Sequence, residues 1–97
     1  MTIRIDDFIW LPEVIEKLLV KPHISPGEIE QVFYNHPRYR FHQKGHIQGE
    51  DLYTAMGQTD AGRYLIIFLL IKPNKRALVI SARNMDRSER KRYDAKE

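Results

Sequence analysis

Arg76-Ala-Leu-Val-Ile80-Ser-Ala-Arg83-Asn-Met-Asp86-Arg-Ser-Glu89-Arg-Lys-Arg-Tyr93 contains a strand and a helix start in one run. The apolar, β-branched stretch from Ala77 to Ile80 predicts a strand that continues to Arg83. Asp86, followed three residues later by Glu89, has the spacing of a capping box, so a helix is expected to begin there. Arg83, Arg87, Arg90, Lys91 and Arg92 face only Asp86 and Glu89 across this turn and helix, a local positive excess. A polyanion is the partner such an excess fits.

Upstream, the strands read as a meander. Tyr64 to Ile71 is apolar at every position, which marks a central strand, and Pro73-Asn74-Lys75 turns it into the next one. Asp51 to Thr59 reads as the preceding strand, closed onto it by a hairpin turn at Asp60-Ala61-Gly62. From Arg38 to Lys44 the chain alternates, with Arg38, Arg40, His42 and Lys44 pointing one way and Tyr39, Phe41 and Gln43 the other. The basic side is either a solvated edge that discourages aggregation or a surface that faces a ligand. Gly45 to Glu50 is a loop.

Two helices precede the strands. Val14, Ile15, Leu18 and Leu19 share one face of a helix entered at Pro12 and running to about Val20. Pro22 breaks it. Ser25-Pro26-Gly27-Glu28 then combines an N-cap serine, a proline at the first helical position and a capping-box glutamate, and Ile29, Val32 and Phe33 form the apolar stripe of a helix reaching about Asn35. Phe8-Ile9-Trp10 is an apolar anchor or edge strand, and the two ends read as frayed. The expected fold is α+β: two N-terminal helices packed on one face of a four-stranded antiparallel sheet, with a basic C-terminal helix.

Composition sets the outer bounds. The 97 residues, 42% apolar with ten aromatics, fit a single domain spanning 1–97 and one core, with a stability of roughly 5–10 kcal/mol. The absence of cysteine excludes a disulfide scaffold and a thiolate metal site or nucleophile, and is compatible with a reducing cytoplasm. Tyr64 to Ile71 is the longest apolar run and is too short to span a bilayer, so a soluble protein with no membrane partner is expected. Residues 1–35 carry three basic and six acidic side chains, and residues 36–97 carry thirteen basic and seven acidic. The basic character therefore belongs to the second part of the chain.

Arginine suits a phosphate site because its guanidinium donates paired hydrogen bonds and stays charged. Arg83 at a strand end, with Arg87 and Arg90 three residues apart on the next helix, can converge on one phosphate. The bland alternative is that Arg83, Asp86 and Glu89 pair among themselves and fix the strand–helix junction. Glu89 reads as a cap rather than a base, and Tyr93 as packing on the sheet before proton donation or base stacking. His42, His46 and Glu50 have the spacing of a helical metal motif, but Gly45 and Gly49 place them on strand and loop, so no metal is expected. Ser81 has no nucleophile elbow, and the glycines form no phosphate loop, so no cofactor, nucleotide or other, is indicated.

The C-terminal signature, Ile80-Ser81-Ala82-Arg83 followed by Arg87-Ser88-Glu89-Arg90-Lys91-Arg92-Tyr93, resembles that of the BrnT-like toxins of bacterial toxin–antitoxin pairs. Looser similarity extends through His46, Gly49-Glu50, Gly57, Gly62-Arg63, Lys21, His23-Ile24-Ser25 and Trp10, while Leu11 stands where that family usually has aspartate and Asp51 where it often has arginine. The resemblance implies a RelE-like fold and a hydrolase: a cytoplasmic, metal-independent endoribonuclease acting on mRNA and silenced by a cognate antitoxin protein. The alternative is a non-catalytic module of the same fold that binds RNA or the antitoxin. Metal-free RNA cleavage needs a group to take the 2′-hydroxyl proton, cations around the phosphorane and a proton for the leaving oxygen. The catalytic candidates on this reading are Arg83, His46, Arg87, Glu50 and Tyr93, with His46 first for proton transfer because an imidazole titrates near neutral pH. Arg38, Arg40, His42, Lys44, Arg63, Arg90 and Arg92 are the RNA-binding candidates. Because both faces of the Tyr64–Ile71 strand are apolar, self-association or an antitoxin across its second face is also expected.

Overall fold

A computed structural model describes residues 3–47 and 49–95; the chain ends read as frayed lie partly outside that range, as does Gln48 of the Gly45–Glu50 loop. The elements follow in the order β1 (Asp7–Ile9), α1 (Pro12–Val20), α2 (Pro26–Tyr34), β2 (Arg38–Gln43), β3 (Leu52–Gln58), β4 (Tyr64–Lys72), β5 (Arg76–Asn84) and α3 (Arg87–Ala95). The fold is α+β, with one sheet in the strand order β1-β5-β4-β3-β2. The four-stranded antiparallel sheet expected above is corrected to five strands of mixed direction. β2 to β5 form the antiparallel meander, and β1 adds to the free edge of β5 in parallel, pairing Phe8 with Ala77 and Ile9 with Leu78. A three-residue strand has too little period to be distinguished from an anchor by sequence pattern, and its partner strand lies far along the chain.

α1 starts without help from a side chain: Leu11 occupies the N-cap and makes no capping bond, leaving Pro12 to pre-set the first turn. α2 starts with a complete capping box, in which the Glu28 backbone N–H donates to Ser25 Oγ and the Ser25 N–H donates to Glu28 Oε1. Both helices cover the same face of the sheet. Leu18, Ile24, Ile29 and Val32 bury against Ala55, Leu65, Ile67, Leu69, Ala77, Val79 and Ala82. Phe8, Phe33 and Tyr39 extend this core as a chain of ring contacts, and burial pushes the Tyr39 phenol up to about 12. No helix among the described residues is long and apolar enough to cross a membrane.

The opposite face belongs to α3. Met85 and Tyr93 pack on Met56, Ile66, Tyr64 and Phe68, a smaller cluster that covers only the upper part of the sheet. Below it Leu52, Leu70 and Leu78 stay half-buried and Ile80 is 41% exposed.

A β-bulge in β5 determines what this open face presents. Along β5 the core residues are Ala77 and Val79, and strict alternation would put Ser81 and Arg83 on the core side with them. The register slips between Phe68 and Leu69, whose partners are Ser81 and Val79, so Ile80 is the extra residue. Ala82 therefore returns to the core opposite Ile67, and Arg83, paired with Ile66, emerges on the open face. A second slip, between Phe41 and Gln43, inserts His42 into β2.

Candidate nucleic-acid cleft

The cleft lies beside α3 on the open face and has a volume of about 380 Å³. Phe68 of β4, with Thr54 and Ile66, makes its floor; Arg40 and His42 of β2 stand on one side, and Arg83, Glu89 and Arg92 on the other. β5 and β2 are separated by β4 and β3, a span of about 14 Å at the usual strand spacing. Thr54, small and buried, allows the longer side chains of β2 to lean across β3. The His42 ring meets Phe68 edge-on at 5.8 Å between centroids, and the Arg83 guanidinium carbon lies 5.7 Å from the same ring.

Arg83 is held by a carboxylate. Its Nη1 and Nη2 donate to Glu89 Oε1 and Oε2, both at 2.8 Å, and Nη1 also donates to the Asn84 carbonyl. Glu89 closes the helix start as well, accepting from the Asp86 N–H at 2.9 Å while its own N–H donates to Asp86 Oδ1 at 2.7 Å. Hydrogen bonds from Arg83, opposed by burial and aided by the Asp86 N–H, hold the Glu89 carboxyl below its ordinary range, so it stays ionised. The pairing weighed against a phosphate role for Arg83 is thus present. The Arg83 side chain nevertheless remains 46% exposed.

The other candidates divide by location. Arg40, His42, Arg83 and Arg92 share the cleft. Arg38 lies over the Tyr93 ring at 5.5 Å and Arg90 over the Tyr64 ring at 4.0 Å. Tyr93 stands edge-on to Tyr64, whose hydroxyl donates to Asp94, so it packs on the sheet and does not line the cleft. Arg87 is exposed beside Ser88 and Lys91 on a different side of α3. Lys44 and His46 are exposed beyond the end of β2. Glu50 pairs with Lys72, four residues past Phe68 on the same strand and so about 13 Å along it. The structure therefore brings Arg83 together with His42, and not with His46, Glu50 or Arg87.

Arg63 lies outside the cleft. Its Nη2 donates to the Pro22 carbonyl, Nη1 to the His23 carbonyl and to Glu28, and Nε to Asn84 Oδ1. One guanidinium thereby joins the β3–β4 turn, the end of β5 and the α1–α2 connection. Phe68 and Thr54, the floor of the cleft, were not candidates on sequence: nothing marks Phe68 within the all-apolar β4, and Thr54 reads as an ordinary residue of β3.

No protein-family model matches the chain, and no curated protein matches its sequence.

Proposed function

We propose that the protein is a BrnT-like toxin that binds single-stranded RNA in this cleft and cleaves it without a metal. The observation that carries the reading is the convergence of three guanidiniums and an imidazole around one partly exposed ring. Guanidiniums stabilise charge on a phosphoryl group, an imidazole moves protons, and an aromatic floor stacks a base. For proton transfer His42, expected from the sequence to bind RNA, takes precedence over His46, because it lies in the cleft with Arg83. Incubation of the purified protein with labelled RNA and a chelator tests this. Cleavage that is lost in Arg83→Ala and His42→Ala supports it; intact RNA together with an absence of binding removes it.

A non-catalytic RNA-binding module is the second reading, favoured by the position of His46 and Glu50 outside the cleft and by the engagement of Glu89 with Arg83. Binding without cleavage in the same assay selects it. The family resemblance adds a cytoplasmic setting and a cognate antitoxin, and the half-covered apolar row Leu52, Leu70, Leu78 and Ile80 beside the cleft supports a protein partner there. Co-expression with the adjacent reading frame followed by light scattering tests that part: a complex, or a dimer in its absence, is expected, and Leu78→Glu should abolish it.

A further inference from the structure

The cleft contains an arginine whose hydrogen-bonding capacity is only partly used. A guanidinium has five N–H donors in one plane, and the Nη1/Nη2 end and the Nε/Nη2 side each match two oxygens of a carboxylate or phosphate. At Arg83 the end is taken by Glu89, and the second Nη1 proton by the Asn84 carbonyl. Nε–H and one Nη2–H remain without an acceptor among the described residues, and they form the side fork.

Glu89 is itself fixed. It is buried to 9% exposure and accepts the Asp86 N–H through the same oxygen that receives Arg83 Nη1. The Asp86–Glu89 capping box is complete with its two reciprocal bonds, so the helix start does not need Arg83. What the bidentate pair adds is orientation of the guanidinium, with its plane and one edge set before any ligand arrives. A guanidinium held this way loses less freedom on binding than one on a free side chain.

We propose that Glu89 is a positioning residue and that the side fork of Arg83 is the seat of a single phosphodiester group of the bound RNA strand, an assignment that rests on the reading of the cleft given above. The two non-bridging oxygens of one phosphate accept Nε–H and Nη2–H, while the Phe68 ring beside the guanidinium lies next to the adjoining nucleotide. Glu89 contributes orientation at the expense of raw attraction, since its negative charge lies close to the seat.

The test uses the full chain and a uniformly 2′-O-methylated RNA tetranucleotide, which binds without being cut. Nitrogen-edited NMR of the arginine Nε–H groups is recorded during titration, and affinity is measured by fluorescence anisotropy. The Arg83 Nε–H resonance should move more than that of any other arginine. In Glu89→Gln, which keeps an acceptor for the Asp86 N–H, the strand should still bind within about threefold of wild type because a negative charge has gone. The Arg83 perturbation should fall by at least about half as the fork loses its orientation. If the wild-type protein cleaves RNA, Glu89→Gln should slow the cleaved step by about tenfold at unchanged affinity. A strand that binds while Arg83 Nε–H stays silent overturns the seat, and a wild-type perturbation in Glu89→Gln overturns the positioning role. Absence of any binding to the wild-type chain instead removes the reading of the cleft itself, and the seat with it.

Discussion

Replacing Arg63 with alanine separates a structural arginine from a ligand-binding one. The guanidinium donates to two backbone carbonyls, Pro22 and His23, to Asn84 and to Glu28, and the Arg63 and Glu28 side chains are 28% and 32% exposed. Because water replaces part of what is lost, the ion pair is worth about 0.5–1 kcal/mol and each carbonyl bond about 1 kcal/mol. The total loss is then about 2–3 kcal/mol, which for a chain of this size lowers Tm by about 10–20 °C. Thermal unfolding followed by circular dichroism measures it, with Arg90→Ala as the control: that cation–π contact, over a ring at the surface, accounts for about 0.5–1 kcal/mol. Below its melting point Arg63→Ala should bind RNA within about threefold of wild type, since only a distant charge is missing. An Arg63→Ala protein that melts within about 4 °C of wild type yet loses RNA affinity by more than about tenfold would refute the clamp and return Arg63 to the binding surface.

Glu28 and Glu89 both have folded carboxyls held below the ordinary value of 4.5, the first chiefly by the Ser25 N–H and the second chiefly by Arg83. Their contribution is therefore fully present above pH 4.5 and lost as pH falls through the lower folded values. Urea midpoints should drop as pH is lowered below 4.5, and less steeply in Glu28→Gln/Glu89→Gln; equal slopes in both proteins would contradict this. A Cβ at Gly57 would sit 2.9 Å from Val32 Cγ1 and 3.3 Å from Pro37 Cβ, so Gly57→Ala should cost about 1–3 kcal/mol in denaturant unfolding. If the three cleft arginines each neutralise a phosphate, RNA affinity should fall with salt at a log–log slope of about −2, and Arg92→Ala should flatten it by about 0.7. A slope near zero in wild type argues against a polyanion.

The local devices were legible because each is written in adjacent residues. Ser25-Pro26-Gly27-Glu28 specified α2, Asp86 to Glu89 specified the start of α3, and the all-apolar Tyr64–Ile71 run located the central strand. What escaped was set at long range. The parallel pairing of Asp7–Ile9 depends on an edge that β5 offers only after the chain has returned to it, and Arg63 makes its contacts with residues about forty positions away. The bulges escaped for another reason: Ile80 and His42 are unremarkable in a strand pattern, yet each displaces its neighbours by one position. A period-two reading assigns Arg83 to the face of Ala77 and Val79, and no local signal reveals the extra residue. The basic side of β2 was visible as alternation, whereas the convergence of Arg40 and His42 with Arg83 and Arg92 required the β5 bulge and the placement of α3.

The pairing of β1 with β5 also bears on the order in which the chain can assemble as it is made. Asp7–Ile9 is made before its strand partner, Arg76–Leu78, which is synthesised roughly 70 residues later, a wait of about 3–14 s at ordinary elongation rates. α1 and α2, which lie between them, likewise have no sheet to bury Leu18, Ile29 and Val32 until the later strands appear. The nascent chain thus holds apolar helices without a core until β3 to β5 have been made, and the contact between β1 and β5 follows only then. Arg83 and the α3 residues that line the cleft follow Arg76–Leu78 in the chain, so the cleft takes shape only after β1 has a strand to pair with.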